Sequence, residues 1–132
     1  MKILVINGHP DKESYCQAIF QTIVETIDSN RHELQVISLN EEDFDPVLRY
    51  GYRKRMEEDS FILRSQEWIQ WADHLIFVYP IWWSSMPSLM KGWIDRVFTP
   101  GIAYSANDQG SFIWNYLRGK QFKKLLKGKT AS

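Results

Sequence analysis

The sequence predicts an α/β protein built on an open, doubly wound parallel sheet. Three observations carry that expectation. Ile3-Leu4-Val5-Ile6 and Leu75-Ile76-Phe77-Val78-Tyr79 are unbroken apolar runs of strand length, the pattern of strands buried on both faces. Amphipathic helical stripes lie between and after them, so strand and helix alternate as β-α-β-α-β-α. The two runs close on residues that end strands, Asn7-Gly8 and Pro80.

Each element has its own warrant. Ile3 to Ile6 is the first strand. A helix follows from Ser14 or Tyr15, because Ser14 and Gln17 stand at capping-box spacing. Its apolar stripe is Ile19, Phe20, Ile23, Val24 and Ile27, and it is expected to run to about Asn30. Leu34 to Leu39 is the second strand. Asp45-Pro46 and Gly51 make Glu41 to Gly51 a loop, and the charged runs Arg53-Lys54-Arg55 and Glu57-Glu58-Asp59 read as solvated chain. The second helix is expected over Phe61 to Ala72, with Ile62, Trp68, Ile69 and Ala72 inward. Leu75 to Tyr79 is the third strand. Pro87 opens a last helix carrying Leu89, Met90, Trp93, Ile94, Val97 and Phe98, which Pro100-Gly101 ends. Because the second run is the least apolar, the expected strand order is 2-1-3 with the first strand central. Ile102 to Leu117 reads as a long loop, and Lys129 to Ser132 as the approach to another strand.

Composition narrows the function. A chain of 132 residues and 15.7 kDa is the size of one domain, taken to span 1–132. Sixteen basic residues balance sixteen acidic ones, so there is no chain-wide electrostatic footprint for nucleic acid. The longest apolar stretch, Leu75 to Trp83, is less than half of the roughly 20 residues that span a bilayer, so no membrane insertion is expected. Cys16 is the only cysteine, which excludes an intramolecular disulfide and fits a reducing, cytoplasmic compartment. His9, His32 and His74 lack metal-ligand spacing, so no metal site is expected, and His32 and His74 are read as solvent-facing. The anomaly is the aromatic content, 14% with six Trp, which calls for burial or for flat ligands.

In such sheets the ligand sits beyond the carboxyl ends of the strands, where strand order reverses. Two loops end there. Gly8-His9-Pro10-Asp11-Lys12-Glu13-Ser14 has neither the G-x-G-x-x-G pattern nor a P-loop lysine, which disfavours dinucleotide and triphosphate cradles. It leaves a helix N-terminus with a Ser hydroxyl, suited to one phosphate group, although Ser14 also serves as a plain helix cap. Pro80-Ile81-Trp82-Trp83-Ser84-Ser85-Met86-Pro87 sets two indoles at a ligand-bearing strand end, where a planar ring such as an isoalloxazine would suit. Strand alternation would turn one Trp to the core and the other to the ligand. Cys16, in the first turn of its helix, reads as a packed small hydrophobe.

Several segments carry a resemblance to a known family. They are Ile3 through Pro10, Asp43-Phe44-Asp45-Pro46, Gly101-Ile102-Ala103-Tyr104, and above all Ala72-Asp73 through Pro80-Ile81-Trp82-Trp83-Ser84 to Lys91-Gly92-Trp93-Ile94-Asp95-Arg96-Val97-Phe98. Together they resemble the NAD(P)H:quinone oxidoreductases of flavodoxin-like fold along almost the whole chain. The resemblance implies bound FMN or FAD, a homodimer, and reduction of a quinone-like acceptor by NAD(P)H. It implies that His9, Ser14, Tyr15 and Cys16 lie in the flavin-phosphate loop, that Pro80, Ile81, Trp82, Trp83 and Ser84 lie in the isoalloxazine loop, and that Tyr104 lines the acceptor pocket. Cys16 departs from the family's usual Asn or Ser, and a thiol is the poorer hydrogen-bond donor.

Family members continue through a fourth and a fifth strand, so the chain is expected to be C-terminally incomplete relative to the family, stopping before the fourth. No catalytic acid or base is assigned to these residues. The competing reading is a non-catalytic flavodoxin-like regulatory subunit of the potassium-efflux type, or an inactive truncated paralogue. A receiver domain is disfavoured, since the first strand ends without an acidic pair and the third without a phospho-acceptor Asp.

Overall fold

β1 (Lys2–Asn7) runs inside the sheet because its side chains are apolar on both faces and both faces are covered. In the computed structural model, which describes residues 1–105, 123–124 and 126–132, β1 pairs in parallel with β2 (Glu33–Ser38) on one side and β3 (His74–Val78) on the other. Ile3 stands opposite Leu34, and Leu4 opposite Leu75. The expected order 2-1-3 is therefore the observed one.

α1 (Tyr15–Thr26) covers one face of the sheet, where Phe20 packs with Ile3, Val5 and Val78. α2 (Ser60–Trp71) and α3 (Ser88–Val97) cover the other, around Leu4, Ile6, Ile37, Ile69, Met90 and Trp93. The fully buried Trp93 donates its indole N–H to Ser65 at 3.1 Å, so the one polar atom of that ring is satisfied between two helices. Gly92 allows the Pro46 backbone to lie directly on α3, since a side chain there would collide with the Pro46 carbonyl.

Several boundaries move. α1 ends at Thr26, not near Asn30, because Ile27 turns extended and Asp28 folds the next residues back. The Asp28 carbonyl accepts from the N–H groups of Arg31 and His32, and its carboxylate from that of Asn30. α2 begins at Ser60, capped by the Asp59 carboxylate, which accepts from the Phe61 and Ile62 N–H groups. Leu39–Glu41 forms a 3₁₀ turn after β2.

The third strand is not left as a bare edge. β6 (Thr130–Ala131) pairs with it in parallel, Thr130 opposite His74 and Ala131 opposite Leu75, and the Phe77 N–H donates to the Ser132 carbonyl at 2.9 Å. The sheet order is thus β2-β1-β3-β6. The physical reason is the demand of an apolar strand edge for partners. Lys129 holds the tail in place by donating its ammonium to the Gln70 carbonyl at 2.7 Å and to the Ala72 carbonyl. β4 (Tyr104–Ser105) and β5 (Lys123–Lys124) form a separate antiparallel pair, and most of the loop expected over Ile102 to Leu117 falls outside the described residues.

The two outer histidines are not simply solvated. Both are half-buried; the His74 ring bridges Thr130 Oγ1 at 2.5 Å and Ser132 Oγ at 2.8 Å, and His32 Nδ1 is buried without a partner.

Candidate functional site

The carboxyl ends of β1 and β3 deliver two loops to the same end of the sheet. The first leaves β1 at Asn7, and Gly8 crosses to β3 by donating its N–H to the Val78 carbonyl at 2.8 Å. The second leaves β3 through Tyr79 and Pro80. The loops meet at His9 and Trp82, whose rings stand edge to face with centroids 5.4 Å apart and planes at 78°. The Asp11 N–H donates to His9 Nδ1 at 2.9 Å, so in the neutral ring the hydrogen sits on Nε2.

Beneath the first loop lies a network that the sequence reading missed. Fully buried Asn7 donates to Gln17 Oε1 at 2.6 Å and to Ser38 Oγ at 3.3 Å, and its Oδ1 accepts from the His9 N–H at 3.0 Å. Asn40 donates to the His9 carbonyl at 3.1 Å and accepts from Ser38 Oγ at 3.1 Å. The shape of the loop is therefore fixed from below by side chains of β1, α1, β2 and the 3₁₀ turn after β2. The available signal was the polar residues at the carboxyl ends of two strands, Asn7 closing β1, and Ser38 closing β2 with Asn40 in the turn after it.

Ser14 is the N-cap of α1: its hydroxyl oxygen accepts from the Gln17 N–H at 3.2 Å, which leaves the hydroxyl hydrogen free to donate. Only half of the capping box forms, because the Gln17 side chain turns to Asn7 and Asn40 instead of back to Ser14. The N–H groups of Tyr15 and Cys16 open the helix, where no intrahelical carbonyl can reach them, and no acidic side chain occupies that first turn. Tyr15 is exposed. Cys16 packs against the α1-side core, as a small hydrophobe does.

The second loop is a tight hairpin. Trp82 and Ser85 exchange backbone hydrogen bonds of 2.8 and 3.0 Å, and the two residues between them, Trp83 and Ser84, hold φ of 50° and 60°. Two successive left-handed residues define a turn that usually takes Asn or Gly, so a Trp and a Ser there carry backbone strain. Strain of this kind persists where the surroundings fix it and is concentrated at ligand sites. Trp83 is fully exposed at 101% and Trp82 exposed at 46%, with Ile81 beside them at 76%. The expected division, one indole to the core and one to the ligand, is therefore wrong. The hairpin lifts both rings out of the alternation that a strand would impose.

Tyr104 lies in the short strand β4, and its side chain is outside the described residues. Among the described residues no three His, Cys, Asp or Glu side chains gather as a metal would require, and no helix is long and apolar enough to cross a membrane.

A parallel sheet of order 2-1-3, with a helix N-terminus and an exposed aromatic hairpin following the ends of its strands, defines a doubly wound α/β protein, a class whose ligands bind beyond the strand ends at the switch point. The chain belongs to the family of flavodoxin-like fold, whose pattern matches residues 1–131. A ribosyldihydronicotinamide dehydrogenase-like protein of Penicillium crustosum is 30% identical over 133 residues, covering 86% of this chain and 50% of that protein. The crystal structure of Smu.1420 from Streptococcus mutans superposes with a TM-score of 0.75 at 33% identity, over 99% of this chain and 65% of that one. The NAD(P)H:quinone oxidoreductase of Methanothermobacter marburgensis gives a TM-score of 0.69 at 28% identity, over 84% of this chain and 60% of that one. The chain spans between about half and three fifths of the length of the curated relatives it matches.

Proposed function

We propose that this chain binds a flavin, FMN or FAD, at the joined ends of β1 and β3, and that it serves NAD(P)H-dependent reduction of a quinone-like acceptor. The observation that carries the reading is the contact of His9 with Trp82, which joins the loop that leads into the α1 N-terminus to the loop that carries the exposed indoles. Support also comes from the names of the relatives, a ribosyldihydronicotinamide dehydrogenase-like protein and an NAD(P)H:quinone oxidoreductase.

The residues fit such a group. Ser14, with the N–H groups of Tyr15 and Cys16, would hold a phosphate: the helix end supplies partial positive charge and unused donors, and the Ser14 hydroxyl hydrogen is free. Trp82, Trp83 and the backbone of Pro80, Ile81 and Ser84 would hold the ring, the indoles offering flat apolar faces and the strained hairpin presenting them. When bound, the flavin supplies the hydride chemistry. The protein's part is to fix the orientation of the ring, to exclude water through Trp82 and Trp83, and to balance the phosphate charge at α1. Tyr104 is assigned to the acceptor pocket on the family resemblance. The same reading expects a homodimer in the cytoplasm, on the resemblance and on the single cysteine.

The test is spectroscopic and kinetic. FMN and FAD are titrated into the purified protein while absorbance is followed from the near ultraviolet into the blue, and NADH and NADPH oxidation is then measured with a quinone present. Saturable flavin binding with quinone-dependent turnover supports the proposal. Binding without turnover favours a regulatory flavodoxin-like subunit, and absence of flavin binding overturns the reading.

A further inference from the structure

A concavity lies on the α2–α3 side of the sheet and shares no lining residue with the two loops described above. Its volume is about 590 Å³, within the range of small-molecule sites. Residues 46–59 form a strap over it, anchored at both ends. At one end Pro46 lies on Gly92 and Arg96 donates to the Asp45 carbonyl; at the other, Asp59 caps α2. Between those anchors Tyr52 donates its hydroxyl to the Asp95 carbonyl of α3 at 3.1 Å, and the cavity lies between the strap and the α2 residues Ile62, Leu63 and Gln66.

The polar lining of this cavity is unusual. Arg96 is only 7% exposed, yet the acceptor it reaches among the described residues is a neutral carbonyl, and no described carboxylate lies within ion-pair distance of it. The nearby Asp45 carboxylate is engaged by Arg49 at 2.6 Å. A buried guanidinium with a neutral partner has unused capacity for an anion. Thr99 adds a second donor: its Oγ1 accepts from Gln66 at 3.3 Å, which leaves its hydroxyl hydrogen free. The apolar walls include Ile62, Leu63 and Ile102. Of the acidic residues lining the cavity, Asp59 is committed to the α2 cap, and Glu57 and Glu58 are matched in number by Lys54 and Arg55 of the same lining.

We propose that this cavity binds an apolar monocarboxylate, its carboxylate on Arg96 and Thr99 and its hydrocarbon body against Ile62, Leu63 and Ile102. The site shares no residue with the two loops assigned to the flavin; Gly101 and Ile102 belong to the Gly101–Tyr104 segment, which the family resemblance sets by the acceptor pocket.

Octanoate is the probe, with octan-1-ol as the neutral control of equal chain length. Calorimetric titration, with amide shifts mapped by NMR, should show saturable octanoate binding about tenfold or more tighter than that of the alcohol, the increment of a charge-assisted contact. Shifts should centre on residues 96–102. Since Arg96 also holds the strap, the deciding variants are Thr99→Val, expected to weaken octanoate several-fold, and Leu63→Trp, which fills the cavity from its exposed rim and should abolish binding with the melting temperature unchanged. Equal affinity for acid and alcohol, no saturation at millimolar octanoate, unchanged binding to Leu63→Trp, or competition with FMN would each overturn the proposal.

Discussion

His9 and Trp82 meet edge to face at 5.4 Å, and through that contact the loop after β1 and the loop after β3 form one surface. Neither residue is held by the ladder hydrogen bonds of the sheet at that point. His9 is set by Asn7, Asn40 and the Asp11 N–H, and Trp82 by its hairpin bonds to Ser85.

The first prediction concerns this pair. A double-mutant cycle of His9→Ala and Trp82→Ala should give a coupling of about 0.5 to 1.5 kcal/mol in denaturant unfolding, the usual worth of an aromatic pair beyond its buried area. Additive losses would mean that the two loops are set independently.

Ser14 has two roles that one substitution can separate. Ser14→Ala should cost about 0.5 to 2 kcal/mol of stability by removing the cap on the Gln17 N–H. On the proposed function it should also weaken flavin binding about tenfold or more, from loss of a charge-assisted contact. Stability loss with unaltered FMN and FAD affinity would leave Ser14 as a cap alone.

Asn7→Ala should destabilise the chain by roughly 2 to 3 kcal/mol, because it strips partners from Gln17, Ser38 and the His9 N–H in a buried setting. Urea unfolding measures it, and an effect below about 0.5 kcal/mol would show that water restores the network.

The two close-approach glycines should differ. At Gly92 a methyl group meets the Pro46 carbonyl and ring, parts of a pinned strap, whereas at Gly8 it meets the flexible end of Met90. Gly92→Ala should therefore cost more than about 2 kcal/mol, and Gly8→Ala about 1 kcal/mol as Met90 shifts. Thermal melts of the two variants, run side by side, check the order.

Asp45 supplies the pH dependence. Its carboxyl is held below the ordinary value of 3.8, first by the Val47 N–H and then by the Arg49 side chain, with smaller help from the charges of Arg49 and Arg96 against some desolvation. A lowered carboxyl contributes stability that is present above 3.8 and is lost as pH falls through its lowered value. Asp45→Asn should accordingly be less stable than the parent near neutrality, with the difference closing as pH drops below 3.8. A difference that persists unchanged in strong acid would assign the effect to packing of the strap.

The sequence by itself determined the sheet, because the code for a doubly buried strand is local. Runs such as Ile3 to Ile6 can be satisfied only between two layers of helices, and the relative apolarity of three runs sufficed to order them 2-1-3. It also marked both loops, since turn residues at strand ends are local as well. What it did not hold was anything set by contacts distant along the chain. Gln17 had a local partner in Ser14 and a tertiary one in Asn7, and the tertiary one took its side chain. Trp82 and Trp83 follow a strand, so alternation sent one inward; the hairpin bonds between Trp82 and Ser85 send both outward. Lys129 to Ser132 read as the approach to another strand, but the strand that Thr130 to Ser132 would join was not legible, because those residues lie far along the chain from β3. Whether they reach it is decided by Lys129 on the end of α2 and by the backbone groups they satisfy.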